Sequence, residues 1–125
     1  MSENELSKLV VDLCLKIHRA LGPGLLESVY EEVLCFELAK AGLKFSRQQG
    51  ISVIYDGVKM DLGFRADVII EDKLIVELKS VEIISPVHPK ILLTYLRLSN
   101  KKLGLLINFN VELIKDGIKR VVNNI

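Results

Sequence analysis

Three residues in the middle of the chain combine the types and the spacing that metal-assisted hydrolysis requires. Asp67 lies in the run R-A-D-V-I-I-E, and Glu77 and Lys79 lie in the run I-V-E-L-K that follows it. Both runs are rich in β-branched residues, which is typical of strands. Because side chains alternate between the two faces of a strand, Glu77 and Lys79 are predicted to point to one face together with Ile75.

The charged segment Glu71–Lys73 between the two runs predicts a hairpin turn. Counting outward from that turn puts Asp67 opposite Glu77, with Cβ atoms about 5 Å apart. Two carboxylates at that distance repel each other, and a shared proton, Lys79 or a divalent cation relieves the repulsion. Oxygen ligands favour Mg²⁺ or Mn²⁺, which keep coordination positions for water and phosphate. The alternative is a solvated hairpin face whose charges alternate for solubility.

A fourth candidate residue, the acid Glu27, follows the helix-breaking segment G-P-G and lies in the first turn of a predicted helix. One interpretation is an acid that stabilises the positive end of the helix dipole. The functional interpretation is a carboxylate directed from the helix start towards the acidic face of the hairpin. Glu31 lies four residues later on the same side, where it either supports Glu27 or is exposed.

Hydrophobic periodicity predicts the elements that must position these residues. Two amphipathic helices come first, and a long strand with its return arm turns at Asp56-Gly57. After the central hairpin, a short helix crosses over to an apolar run that is typical of a strand buried on both faces. A crossover of this kind predicts at least one parallel strand pair.

The predicted ranges follow from these patterns. In chain order they are helices Glu3–Leu21 and Leu25–Ala41, strand Phe45–Tyr55 with a return arm from Val58 and a bend at Gly63, the central hairpin Phe64–Ser80, a helix ending near Leu98, strand Leu103–Asn108, and a terminal hairpin of Val111–Lys115 and Ile118–Val122. The expected buried stripe of the second helix is Leu26, Val29, Tyr30, Val33, Leu34 and Leu38.

Composition limits the class of protein. Half of the 125 residues are hydrophobic and 26% are charged, which is typical of a globular domain. The net charge of +1 lacks the strong positive field of many nucleic-acid-binding domains, so such binding would need a local basic surface.

No apolar run reaches the ~20 residues of a membrane span, and the first residues lack a signal peptide, which predicts a cytoplasmic protein. Cys14 and Cys35 are predicted to be buried free thiols.

Glu27 and its neighbours form the pattern G-L-L-E-S-V-Y, which resembles the signature of the GxxExxY protein family. The resemblance covers nearly the whole chain, with R-A-D-V-I-I-E and I-V-E-L-K in the middle and G-L-L-I-N-F and D-G-I-K-R near the end. That family is placed in the PD-(D/E)XK nuclease-like superfamily. The resemblance implies a mixed α/β fold with a restriction-endonuclease-like core, in which helices flank a mixed β-sheet, as a single domain over residues 1–125.

The resemblance also implies roles for four residues. Asp67 would be the metal-binding aspartate of the superfamily, and Glu77 and Lys79 would form its E-x-K pair. Glu27 would be the acid that the N-terminal helix contributes. Asp67, Glu77 and Glu27 are thus the predicted ligands of Mg²⁺ or Mn²⁺, and all four residues are predicted to act in catalysis.

One pair of residues departs from the family pattern. Related members usually carry alanine and glutamine at the start of the helix after the E-x-K strand, where this chain has Lys90 and Ile91. Three hypotheses remain: a Mg²⁺-dependent nuclease, a nuclease-like module that binds nucleic acid or a protein partner without turnover, and a structural or regulatory partner that does neither. The first implies nucleic acid as the partner, with DNA ahead of RNA, no membrane, and a homodimer as an open alternative.

Overall fold

A computed structural model describes residues 1–124, apart from the side chains of Asp61 and Leu62. These residues form helices and strands in the order α1 Glu3–Leu21, α2 Glu27–Lys40, β1 Phe45–Tyr55, β2 Val58–Ile70, β3 Leu74–Lys79, α3 Val87–Ser99, β4 Leu103–Asn108, a 3₁₀ helix Ile114–Gly117, and β5 Ile118–Val122. Across residues 1–124, none of the helices has the length and apolar character that a membrane crossing requires.

Helix α1 begins with a capping box at Ser2. The Ser2 hydroxyl accepts a hydrogen bond from the Glu5 amide at 3.1 Å, and the Glu5 carboxylate accepts one from the Ser2 amide at 3.2 Å. This pair satisfies two amide groups that have no partner within the helix. The helix ends before Gly22, whose φ of 73° favours a residue without a Cβ. Cys14 on its buried face and Cys35 of α2 are buried free thiols, as predicted.

The five strands form one mixed sheet whose spatial order equals the chain order, β1-β2-β3-β4-β5. Neighbouring strands are antiparallel except β3 and β4, which run parallel because α3 carries the chain back between them. The register of the β1–β2 pairing shifts between the pairs Ile51–Phe64 and Val53–Met60, where β2 contains the extra residues, Gly63 among them. A Cβ on Gly63 would come within 1.9 Å of the Ile51 carbonyl oxygen. The predicted bend at Gly63 is therefore an irregularity within one continuous strand.

Hydrophobic cores lie on both faces of the sheet. Helices α1 and α2 cover one face, where Val76 and Leu78 of β3 are buried. Helix α3 covers the other face, where Ile75 is buried with Leu92 and Leu96. The alternation predicted for β3 is therefore confirmed. Every residue of β4 is buried, as expected for a strand between two layers of helices.

The predicted buried stripe of α2 is wrong at its first turn. Leu26 precedes the helix and is 73% exposed, and Val29 is 36% exposed. The buried face is rotated towards Glu31 because Arg47 and Gln48 of β1 donate hydrogen bonds to its carboxylate, which permits a buried acid at this position. The residues of α2 that are buried are Tyr30, Glu31, Leu34, Cys35 and Leu38.

The predicted terminal hairpin is wrong. Residues 111–113 lie outside helices and strands, Ile114–Gly117 forms the 3₁₀ helix, and β5 pairs with β4. Ile114 is buried in the core on the α1 side of the sheet, and this burial keeps the segment from extending as a strand. Gly117 packs closely on the backbone, since a Cβ there would lie 2.1 Å from the Asn108 carbonyl oxygen. Strand β5 is therefore an edge strand of the main sheet.

Candidate functional site

The candidate site lies where strands β2 and β3 separate. The predicted register holds for three residue pairs, and the ladder ends at Val68 and Val76. Beyond that pair, carboxylates take the place of carbonyl acceptors. The Asp67 amide donates to Glu77 Oε1 at 3.3 Å, and the Leu78 amide donates to Asp67 Oδ2 at 2.9 Å. Each acid thus accepts a hydrogen bond from the opposite strand, and the two side chains lie beside each other.

Glu77 carries the strongest electrostatic perturbation of the site. The residue is 8% exposed. Burial raises the pKa of Glu77 to about 9, and the neighbouring Asp67 carboxylate acts in the same direction. The Asp67 amide and the charge of Lys79 act in the opposite direction. At neutral pH and without a metal ion, Glu77 therefore holds a proton.

Lys79 is the last residue of β3, and its charge is near enough to favour the ionised form of Glu77. Among the side chains that the structure describes, which exclude Asp61 and Leu62, the Lys79 ammonium group forms no ion pair. The chain beyond Lys79 is held by Asn108, whose side chain donates to the Val81 carbonyl at 2.9 Å and accepts from the Val81 amide at 3.1 Å. This double contact fixes the direction in which β3 ends.

Glu27 is the first residue of α2, and its Oε2 accepts a hydrogen bond from the Ser80 amide at 3.3 Å. The Ser80 hydroxyl donates to the Leu25 carbonyl at 2.5 Å. These two contacts attach the start of α2 to the residue that follows Lys79. Glu27 is therefore held at the end of β3, which the helix-dipole interpretation alone would not require.

The tyrosine of the G-L-L-E-S-V-Y pattern fixes the loop that leads to Glu27. The Tyr30 hydroxyl donates to the Gly22 carbonyl at 2.6 Å and accepts from the Leu25 amide at 3.2 Å, while its ring stacks on Phe109 with centroids 4.2 Å apart. Gly24 has a φ of 90°, which a side chain would disfavour. The glycine and the tyrosine are therefore structural residues that set the position of the acid between them.

A cavity of about 220 Å³ joins two of the predicted residues. Glu27 and Asp67 line it together with Ser28, Glu31, Gln48 and Leu78. Glu77 does not line this cavity, although its carboxylate contacts Asp67. Asp67 is therefore the residue that links the predicted set, because it contacts Glu77 and lines the cavity together with Glu27, while Lys79 acts on Glu77 through its charge.

A metal ion at this site would have few ligands from the protein. In the described part of the chain, no three Asp, Glu, His or Cys side chains are grouped so that they could hold an ion together. Two adjacent carboxylates suit Mg²⁺ or Mn²⁺, because these ions are commonly held by one or two carboxylates, with water and phosphate as the other ligands. Burial and the neighbouring Asp67 both disfavour the ionised form of Glu77, and a bound cation would offset both effects.

The site contains two residues for which the sequence indicates no role, Gln48 and Tyr95, and one whose role it leaves undecided, Glu31. Gln48 donates to both Glu31 and Asp67, at 2.7 Å and 3.3 Å. Tyr95 of α3 stacks on Phe64 with centroids 4.0 Å apart, and burial, Glu77 and Asp67 raise its pKa. For Glu31 the spacing of four from Glu27 was a usable signal, whereas nothing in the sequence distinguishes Gln48 from its neighbour Gln49.

The two residues that depart from the family pattern lie in the first turns of α3. Lys90 is exposed, and Ile91 is 37% exposed. Ile91 precedes Tyr95 by about one turn, and Tyr95 is the residue of this helix that senses the charges of Glu77 and Asp67. The exposed Ile91 therefore offers an apolar surface on the helix that covers the acidic pair.

Comparison with known proteins gives the class of this protein. The family model described as PD-(D/E)XK nuclease superfamily matches residues 4–121. The chain therefore belongs to the PD-(D/E)XK nuclease superfamily, and its mixed sheet flanked by helices is consistent with that fold. No curated protein and no solved structure gives a significant match. The predicted superfamily and fold class are confirmed, and membership of the GxxExxY family stays a prediction.

Proposed function

We propose that this chain is a metal-dependent nuclease that hydrolyses phosphodiester bonds of nucleic acid. The observation that carries the proposal is the contact between Asp67 and Glu77 at the point where β2 and β3 separate, with Lys79 two residues further along β3. Membership of the superfamily supports the reaction class. The contact supports the particular residues, because two adjacent acids that disfavour each other's ionised form are a poor structural pair and a good cation site.

Asp67 and Glu77 would hold the Mg²⁺ or Mn²⁺ ion, and Glu27 would contribute from the start of α2. When bound, such an ion supplies a water of lowered pKa and neutralises charge on the scissile phosphate. Asp67 is suited to this role because hydrogen bonds from Leu78 and Gln48 already fix both of its oxygen atoms. Glu77 would release its proton on loading, because a cation favours the ionised carboxylate.

Lys79 would act on the water and on the phosphate. None of the described acidic side chains forms an ion pair with its ammonium group, which would leave its three N–H donors for a substrate or a water molecule. Positioned beside the acidic pair, the Lys79 ammonium group would orient the attacking water or stabilise the negative charge that develops on the phosphate. Glu27 would orient a second water from the opposite side of the cavity.

The second candidate function is a binding module that no longer turns over nucleic acid. The specific observation that favours it is Ile91, which lies where related members usually carry glutamine and leaves α3 without that polar group. Under this proposal, nucleic acid or a protein partner binds without cleavage, and the affinity does not depend on Asp67. An Ile91→Gln variant separates the two functions, since it should raise cleavage only in a chain whose other site residues are competent.

The decisive experiment is cleavage of a mixed panel of DNA and RNA substrates, with DNA tested first, in Mg²⁺ and in Mn²⁺. Lys79→Ala should lose cleavage by about 10²-fold or more, as expected for a group that acts on the attacking water. Lys59→Ala is the matched control, because Lys59 is an exposed lysine near the tip of the β1–β2 hairpin. Equal activity in Lys79→Ala and the wild type would overturn the proposal and point to a contaminating nuclease.

A binding measurement checks the metal independently of substrate. Addition of Mn²⁺ should stabilise the folded wild type by mass action and so raise its melting temperature. When the Mn²⁺ concentration is a hundred times the dissociation constant, the free energy of unfolding should increase by about 2.7 kcal/mol. Glu77→Gln should abolish the shift. A wild type whose melting temperature ignores both Mg²⁺ and Mn²⁺ would contradict the metal-dependent mechanism and leave the binding module as the better account.

A further inference from the structure

Gln48 has a backbone conformation that regular strands avoid. Its φ is 51°, although its neighbours Arg47 and Gln49 keep their antiparallel partners Val68 and Ala66. Gln48 is therefore the residue of β1 that lies across from Asp67 and is left out of the ladder. Residues other than glycine adopt a positive φ only where the surrounding structure imposes it, and such residues are frequent at functional sites.

The positive φ has a direct effect on where the side chains point. Consecutive residues of a regular strand point to opposite faces. Here Arg47 and Gln48 both reach the same carboxylate, since Arg47 donates to Glu31 Oε2 at 2.8 Å and Gln48 donates to Glu31 Oε1 at 2.7 Å. The irregular backbone thus turns Gln48 towards α2, and only in this direction does its amide meet the cavity that Asp67 lines.

The Gln48 amide connects two acids with one nitrogen atom. Its Nε2 donates to Glu31 Oε1 and, at 3.3 Å, to Asp67 Oδ1. The second oxygen of Asp67 accepts from the Leu78 amide at 2.9 Å, so both oxygens have donors. Glu31 itself is 8% exposed and is fixed by Arg47, which makes it a rigid anchor. A line of contacts therefore runs from α2 through Glu31 and Gln48 to Asp67.

We infer that Gln48 is the positioning residue of the proposed metal site and holds the Asp67 carboxylate in the orientation that binds the ion. A neutral amide fits this task because it offers two N–H groups to two carboxylates without cancelling the charge that attracts a cation. An arginine or lysine in its place would neutralise Asp67. The inference rests on the proposed function, since it assigns to Gln48 the support of an ion that Asp67 would hold.

The test measures Mn²⁺ affinity of the purified protein by electron paramagnetic resonance, without nucleic acid. Gln48→Met keeps the length of the side chain and removes both donors, so the dissociation constant should rise by about 10-fold or more, as is typical when a hydrogen-bond partner of a metal ligand is lost. Gln49→Met is the matched control. Gln49 is the adjacent, exposed glutamine, and its side chain contacts Ser46 rather than an acid, so its affinity should equal that of the wild type.

A second variant separates positioning from stability. Gln48→Gly also removes the amide, but it relieves the positive φ, so it should melt about 4 °C above Gln48→Met. Weak Mn²⁺ binding by both variants, despite their different melting temperatures, is the expected result. Wild-type affinity in either variant would overturn the role of Gln48 while leaving the metal site in place. A wild type that binds no Mn²⁺ would instead overturn the proposed function itself.

Discussion

Strand β3 meets its two neighbours in different ways. With β4 it forms six consecutive parallel pairs, from Leu74 with Leu103 to Lys79 with Asn108. With β2 it forms three pairs, after which the carboxylates of Asp67 and Glu77 accept the hydrogen bonds of the opposite strand. The same strand is therefore held by the backbone ladder along the whole of one edge, and by the ladder and then acidic side chains on the other.

The difference shows how the fold accommodates two acids side by side. On the β4 edge of β3, backbone carbonyl groups accept the hydrogen bonds of the amides, so no side-chain acceptor is needed there. Strand β4 itself is buried along its whole length. On the β2 edge, separation of the strands leaves amides that carboxylates can satisfy, which brings the acids to the mouth of the gap. We therefore expect substitutions on the β2 edge to affect chemistry and those on the β4 edge to affect stability.

The largest expected effect is the loss of cleavage in Asp67→Asn and Glu77→Gln. Each variant keeps an oxygen acceptor for the opposite strand but cannot offer an ionised carboxylate to the metal, so the rate should fall by about 10³-fold or more, which corresponds to about 4 kcal/mol. The melting temperature without metal should change by only a few degrees. The measurement pairs cleavage kinetics with thermal unfolding, and unfolding of both variants at room temperature would break the comparison.

The matching change on the β4 edge is Ile107→Ala. Ile107 is fully buried and lies opposite Leu78 across the parallel ladder, so the free energy of unfolding should fall by about 2–5 kcal/mol. Cleavage per folded molecule should remain close to that of the wild type. Chemical denaturation checks the first statement, with Ile54→Ala as the control because Ile54 is 64% exposed. A loss in Ile107→Ala no larger than that in the control would contradict the role of Ile107 in the core.

The pH dependence of stability sharpens the comparison further. The pKa of Glu77 rises from 4.5 to about 9 on folding, so between these values the folded chain holds a proton that the unfolded chain releases. Stability should therefore fall as pH rises through this window. Glu77→Gln cannot release the proton, and its melting temperature in EDTA should depend less on pH between about pH 5 and pH 8.5. The exposed substitution Glu112→Gln should keep the slope of the wild type, and equal slopes in all three proteins would exclude a buried protonated Glu77.

The smallest expected effect concerns the loop before Glu27. Tyr30→Phe removes the hydroxyl that joins the Gly22 carbonyl to the Leu25 amide, and the free energy of unfolding should fall by about 1–2 kcal/mol. Because the same loop positions Glu27, we also expect a small loss of cleavage. Tyr55→Phe is the control, since Tyr55 is 72% exposed. If Tyr30→Phe leaves the free energy of unfolding unchanged, packing of the ring on Phe109 alone fixes the loop.

The helices, the strands and the contact between Asp67 and Glu77 could be predicted from the sequence, because they depend on the periodicity of neighbouring residues. Alternation in β3 and the short charged turn were sufficient to place Asp67 beside Glu77. The contacts of Gln48 were not predictable, since they depend on the sign of one φ angle and on a helix 17 residues earlier in the chain. The terminal hairpin failed for a related reason. Asp116-Gly117 has a turn composition, but burial of Ile114 under α1 selects a 3₁₀ helix instead.

The identity of spatial and chain order in the sheet has a consequence for synthesis. Each strand that leaves the ribosome finds its partner already present at the growing edge, so assembly can proceed by addition without rearrangement. The step that must wait is the parallel pairing of β3 with β4, because α3 has to form the crossover first. Completion of this crossover is accordingly the step at which we expect the nascent chain to commit to its native topology.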